Sequence, residues 1–178
     1  LEAQSSGSKP GNAGAGKAVR PSRGSEDPPS VLSVGPTVTD RLDRITQRAE
    51  SHPDEVFNNL FSVITDELLW TAFRRLKRNK APGVDGVTVD QYEENLDANL
   101  RDLLTRLHRG TYRPHPSLRR DIPKGNGKTR PLGIAAVEDK IVQRAVVMIL
   151  ERIYEVDFSD MSYGFRPGRS CHDALRDL

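Results

Sequence analysis

Ile122-Pro123-Lys124-Gly125-Asn126-Gly127-Lys128-Thr129-Arg130-Pro131-Leu132-Gly133-Ile134 sets three cations around a tight Gly-Asn-Gly turn between two short extended segments. Upstream, Leu118, Arg120 and Ile122 alternate with Arg119 and Asp121, which is the period of a strand rather than of a helix. The turn reverses that strand into a second one over residues 129–134, so the stretch predicts an antiparallel hairpin. A hairpin so charged can hold phosphate. Residues 109–130 contain seven Lys or Arg against the single acid Asp121, a local charge of +6 in a chain whose total is +2, so the remainder, +2 less +6, is −4. A basic stripe inside a nearly neutral protein is the electrostatic footprint of a nucleic-acid or nucleotide binder, or else a solvated loop.

Helical periodicity surrounds the hairpin. Thr39 or Asp40 is placed to cap a short helix carrying Leu42 and Ile45 and stopped by Pro53. A second helix is predicted from Val56, Phe57, Leu60, Phe61 and Ile64, and a third, capped by Thr65, from Leu68, Leu69, Phe73 and Leu76. The third ends in Arg74, Arg75, Lys77 and Arg78, which either complement the helix dipole or meet RNA. Residues 79–88 break the pattern with Pro82-Gly83 and Asp85-Gly86, a loop with two tight turns. Thr88 then caps one long helix whose stripe runs Tyr92, Leu96, Leu100, Leu103, Leu104 and Leu107, with Gly110 as its stop. A largely buried helix follows the hairpin from Val137 to about Tyr154. The expected architecture is α+β, several helices around a small antiparallel hairpin.

Composition narrows the chemistry. With 178 residues, 35% apolar and 29% charged, the chain suits one ordinary domain. Half of the first thirty residues are Gly, Ser or Pro, so residues 1–38 read as a disordered leader, and the opening Leu1 is expected to mark a processed, tagged or incomplete boundary. The apolar run at residues 145–150 is too short for a membrane span and no secretory leader opens the chain, so no membrane partner and a cytoplasmic, bacterial location are expected. The lone Cys171 excludes an internal disulfide and reads as a passive side chain; four scattered His give no zinc spacing. Gly127-Lys128-Thr129 imitates the end of a phosphate-binding Walker loop, but Ile122 stands where that motif needs Gly, and Pro131 forbids the helix that must follow. No Gly-x-Ser-x-Gly elbow supports a hydrolase.

Four blocks then occur in order: Lys80-Ala81-Pro82-Gly83-Val84-Asp85-Gly86; Ile122-Pro123-Lys124 with Arg130-Pro131-Leu132-Gly133-Ile134; Asp139-Lys140-Ile141-Val142-Gln143-Arg144-Ala145; and Tyr163-Gly164-Phe165-Arg166-Pro167-Gly168-Arg169-Ser170. Together they resemble the amino-terminal part of bacterial group II intron reverse transcriptase/maturases, over residues 39–178. The resemblance implies a helical amino-terminal extension with an RNA-binding loop at 39–110 and a fingers region at 111–178. It implies that Lys124 and Arg130 hold the phosphates of an incoming dNTP, and that Lys80, Arg119, Arg120, Lys128, Arg166 and Arg169 meet template RNA or an RNA/DNA duplex. For Lys128, at the turn, solvent is the alternative, and for Arg166 and Arg169 it is holding the turn. Ser170 and Asp173 are spaced as a capping box for the next helix.

Such polymerases join nucleotides with two Mg²⁺ ions about 4 Å apart, held by carboxylates of a palm domain. The family's palm aspartate block and its Tyr-x-Asp-Asp turn do not occur in these residues, and Asp85, Asp157 and Asp160 read as turn or helix-end residues. The expectation is a fragment that binds RNA, holds no Mg²⁺ and does not polymerise by itself. A stand-alone RNA-binding module and half of a split enzyme, with the palm on a partner chain, are the alternatives.

Overall fold

The structure is a computed structural model that describes residues 35–125 and 127–178. Residues 1–34 of the expected leader lie outside the described residues. Helix α1 spans Val38–Ser51, and its cap is Thr37 rather than Thr39 or Asp40. The Thr37 hydroxyl accepts from the Asp40 backbone N–H at 3.2 Å while the Asp40 carboxylate accepts from the Thr37 N–H at 3.0 Å, a reciprocal box that makes Asp40 the third helical residue.

No α-helix forms over residues 54–64; a single 3₁₀ turn, Leu60–Val63, stands there. Asn59 takes a left-handed φ of 62°, a conformation Asn tolerates better than most residues and one that interrupts a helix. Val56 is 74% exposed, so the apparent apolar periodicity is not a buried stripe. Helix α2, Asp66–Arg74, is capped by Thr65 as its sequence predicts, and presents Leu68, Leu69, Ala72 and Phe73 to the core.

One tight turn, not two, forms in the 79–88 loop: the Gly86 N–H donates to the Gly83 carbonyl at 3.2 Å. The long helix predicted after Thr88 is two helices, α3 at Val89–Glu93 and α4 at Leu96–His108. Asn95 leaves helical geometry between them, and the Asn99 amide donates to the Tyr92 carbonyl at 2.9 Å, satisfying an acceptor near the break. Gly110 ends α4 with φ 67°; its N–H reaches the Leu107 carbonyl and the Thr111 N–H reaches that of Arg106, which is a complete Schellman stop.

Strands β1, Leu118–Lys124, and β2, Lys128–Ile134, pair antiparallel from Leu118↔Ile134 to Lys124↔Lys128. Helix α5, Val137–Asp157, runs through the centre and packs on α1 and α2, while α2 also packs on α4. Phe73, Leu68, Leu69, Leu103, Ile141 and Val137 are fully enclosed, each burial worth about 1.5–3 kcal/mol. The hairpin is no part of this core: its strands pack extensively only on each other. A short α6, Cys171–Arg176, closes the described residues, capped by Ser170 with Asp173 as its sequence predicts.

Candidate nucleic-acid and nucleotide interface

Residues directly opposed in an antiparallel pair share a face, and alternate residues of one strand share it too. The register therefore puts Arg120, Lys124, Lys128 and Arg130 on one face of the hairpin, with Leu118 and Ile134 at its base and Leu132 and Ile122 directly across from Arg120 and Arg130. Arg119 and Asp121 occupy the other face, where they pair at 3.4 Å. Pro123 and Pro131 lack the N–H that a ladder bond needs, and they blunt the hairpin's edges against pairing with other strands.

Lys124, Lys128 and Arg130 lie within about 7 Å along the strands, so one polyphosphate can meet all three. None of the three, nor Arg120, has an ion-pair or side-chain hydrogen-bond partner among the described residues. Lys124 sits directly across from Lys128. Like charges so placed repel, and a bound anion relieves the repulsion.

Two contacts mount this face on the helical body. At the β2 end, Gly83 lies so close to Ala136 that a Cβ on it would stand 2.5 Å from the Ala136 Cα. Lys140 reinforces the contact by donating its Nζ to the Ala81 carbonyl at 3.1 Å. At the β1 end, Asp139 is the buried charged residue of the described core, 3% exposed. Its carboxylate accepts from the Tyr112 hydroxyl and from the His115 backbone N–H, the latter at 3.0 Å. Burial, and then the hydrogen bond to Asp139, push the Tyr112 phenol well above its ordinary value and keep it a donor.

Beside it, Glu138 takes a bidentate pair from Arg106 at 2.5 and 3.0 Å and the Tyr92 hydroxyl at 3.5 Å. The Glu138 hydrogen bond is the main cause that raises the Arg106 guanidinium further, while burial does most to raise Tyr92. The first turn of α5 thus ties together α4, the 80–86 loop and both ends of the hairpin. Sequence reasoning missed Asp139 and Gly83 in these roles, because no local signal separates Asp139 from Glu138 in a first turn where both acids suit the helix dipole.

The two arginines of the 163–170 block are placed differently from the hairpin cations. Arg166 is 7% exposed in its side chain; it pairs with Glu155 at 3.0 Å, donates to the Ser159 and Ser162 carbonyls at 2.9 and 3.1 Å, and stacks over Phe158. Every nitrogen of that guanidinium is engaged inside the protein, an arrangement of the kind the turn-holding alternative calls for. Arg169 donates to the Asp160 carbonyl at 2.6 Å and lies over Tyr163, with its side chain 29% exposed. Lys80 is exposed on the 80–86 loop. In the preceding cluster, Arg78 is bound to Glu93 and Asp90, and Arg74 stacks on Trp70.

Asp85 turns back onto the Val87 N–H, Asp157 ends α5, and Asp160 receives Arg169. Among the described residues no three His, Cys, Asp or Glu converge as a metal cage, so the fit to a Mg²⁺ pair is lacking there. No helix among them is long and apolar enough to cross a membrane.

No protein-family model matches this chain. The group II intron-encoded protein LtrA of Lactococcus lactis subsp. cremoris is 39% identical over 139 residues, covering 77% of this chain and 23% of that protein. YkfC of Escherichia coli K12 is 45% identical over 134 residues, 73% of this chain and 35% of that protein. This chain belongs to the group II intron-encoded proteins. A nuclear intron maturase of Arabidopsis thaliana mitochondria shares 56% identity over a shorter stretch of 39 residues, 22% of this chain and 5% of that protein. As a member of the family, the chain spans about a quarter to a third of the length of the two bacterial relatives.

Proposed function

We propose that these residues are the part of a group II intron-encoded, RNA-directed DNA polymerase and maturase that grips template RNA and the incoming dNTP, with residues 39–110 as its amino-terminal extension and 111–178 as its fingers region. The observation that carries the reading is the unpartnered trio Lys124, Lys128 and Arg130 on one exposed hairpin face. Arg166 and Arg169 of the last family block are by contrast engaged within the protein. Arg130 offers two parallel N–H donors to a phosphate and Lys124 a compact charge, and both offset the negative charge that develops as a phosphoryl group is transferred. Lys128 and Arg120 extend the same face towards the template. Metal chemistry in such an enzyme calls for carboxylates that the described residues do not gather, so these residues bind and orient RNA and triphosphate and leave the joining step to others.

The test is anisotropy of a labelled single-stranded RNA with the 178-residue chain across a salt series. About four phosphate contacts give a slope of log affinity against log salt near −3, and K124A/K128A/R130A reduces its magnitude by about 2. An unchanged slope in the triple variant overturns the assignment.

A further inference from the structure

The hairpin that carries the cationic face packs extensively on no helix, so its direction depends on how its two ends are held. From Leu118 to Lys124 it is about 20 Å long, and a swing of about 10° at its base moves the tip by about 3–4 Å. That displacement exceeds the tolerance of a hydrogen bond to phosphate. One end is set by Ala136 against Gly83. The other rests on a buried carboxylate.

We infer that Asp139 is a positioning residue that fixes the direction of the hairpin's Lys124, Lys128 and Arg130 face through Tyr112 and His115; its functional part rests on the proposed gripping of RNA and triphosphate. Asp139 is 3% exposed, and among the described residues its side chain's polar contacts go to one segment: the Tyr112 hydroxyl, the His115 N–H at 3.0 Å and the His115 Nδ1 at 3.7 Å. A carboxylate is withdrawn from water only where donors replace its hydration, and here both principal donors belong to the strand's lead-in. That lead-in is stiff. Pro114 and Pro116 lock their own φ and hold Arg113 and His115 extended, so Ser117 alone separates this restrained lead-in from Leu118. Asp139 thus acts on the ligand through the strand it aims and touches no ligand itself.

The test places spin labels at Thr129→Cys on the hairpin and Ala98→Cys on α4, with Cys171→Ser, in the 178-residue chain, and reads the interlabel distance by pulsed electron resonance alongside the thermal melt and RNA affinity. The parent gives one narrow distance. Asp139→Ala broadens it and weakens RNA binding about three- to tenfold, since only the correctly aimed fraction binds, while the salt slope stays that of the parent. Asp139→Asn restores the narrow distance, because its amide oxygen accepts from the His115 N–H and its amide nitrogen donates to the Tyr112 oxygen. Tyr112→Phe, which keeps the carboxylate and the ring, gives partial broadening and serves if the alanine variant does not fold. An unbroadened distance in a folded Asp139→Ala or Tyr112→Phe overturns the inference, as does broadening matched by loss of the cooperative melt. Broadening with RNA affinity unmoved leaves Asp139 aiming the hairpin and overturns its functional part. Loss of the salt-slope effect in K124A/K128A/R130A, with the distances still behaving as stated, overturns the gripping function and leaves the mounting in place.

Discussion

Adding one methyl group to Gly83 is the sharpest perturbation this structure offers. The new Cβ would stand 2.5 Å from the Ala136 Cα, 2.6 Å from its N and 2.9 Å from the Ala135 carbonyl carbon, all of them backbone atoms that no rotamer change can move. Ordinary contact between carbons needs about 3.5–4.0 Å, so the 80–86 loop and the start of α5 must part by about 1 Å. Overpacking of this kind costs about 1–3 kcal/mol, with the upper end applying where backbone must shift. The same movement stretches the 3.1 Å bond from Lys140 to the Ala81 carbonyl beyond useful length, adding about 0.5 kcal/mol at an exposed site. A total of about 3 kcal/mol lowers the melting temperature by about 6–12 °C for a domain of this size. Thermal and urea melts of Gly83→Ala measure it, with Gly125→Ala as the control, since a Cβ there meets nothing within 4 Å. A Gly83→Ala melt within about 2 °C of the parent refutes the close approach as a structural requirement.

Other outcomes follow from the same geometry. Arg166→Ala leaves the Glu155 carboxylate and two carbonyls without their donors, so it destabilises by about 2–4 kcal/mol in urea melts and leaves the salt slope of RNA binding unchanged. Glu138→Gln weakens the bidentate bond to Arg106 and lowers stability by about 1–2 kcal/mol, read in the same melts. The carboxyl of Asp40 is held below the ordinary aspartate value chiefly by the Thr37 backbone N–H and then its hydroxyl, and that of Asp173 chiefly by the Ser170 hydroxyl and then its backbone N–H. A depressed folded value means that each contribution is full above the ordinary value and is lost as pH falls through the folded one. Amide exchange in the first turns of α1 and α6 should therefore accelerate, beyond its intrinsic pH dependence, only in that acid range. Primer extension by the 178 residues alone should give no product, and Mg²⁺-dependent synthesis would refute the division of labour proposed for them.

Local chemistry was the legible part of this chain. Thr65, Thr88 and Ser170 announce helix starts through a hydroxyl spaced to meet a backbone N–H, and Gly110 announces a stop, because each bond closes within a few residues. The hairpin was legible for the same reason, and its register follows from the alternation already visible in Leu118, Arg120 and Ile122. Where two hydroxyls compete, as with Thr37 and Thr39, spacing alone does not choose, and Asp40 decides by bonding back to Thr37. Apolar spacing failed at residues 56–64 because one left-handed Asn59 outweighs five well-spaced side chains. It also failed to show the break at Asn95, across which Leu96 and Tyr92 keep their period. In the candidate interface, the sequence identified the cations but not which of them remain open to a ligand. The partners that engage Arg166 and the mount that holds the hairpin are contacts between residues 4 to 59 positions apart, and charge counting is blind to them.

A hairpin fastened only at its ends is a part whose length can change without disturbing the rest. Inserting two residues into each strand would carry the tip outward by about 7 Å and keep every cation on its present face, whereas one residue in each would turn the tip's side chains to the opposite face. Neither change reaches Asp139, Gly83 or the packed helices. The reach of this arm is therefore open to variation in steps of paired residues while the helical body it stands on stays the same.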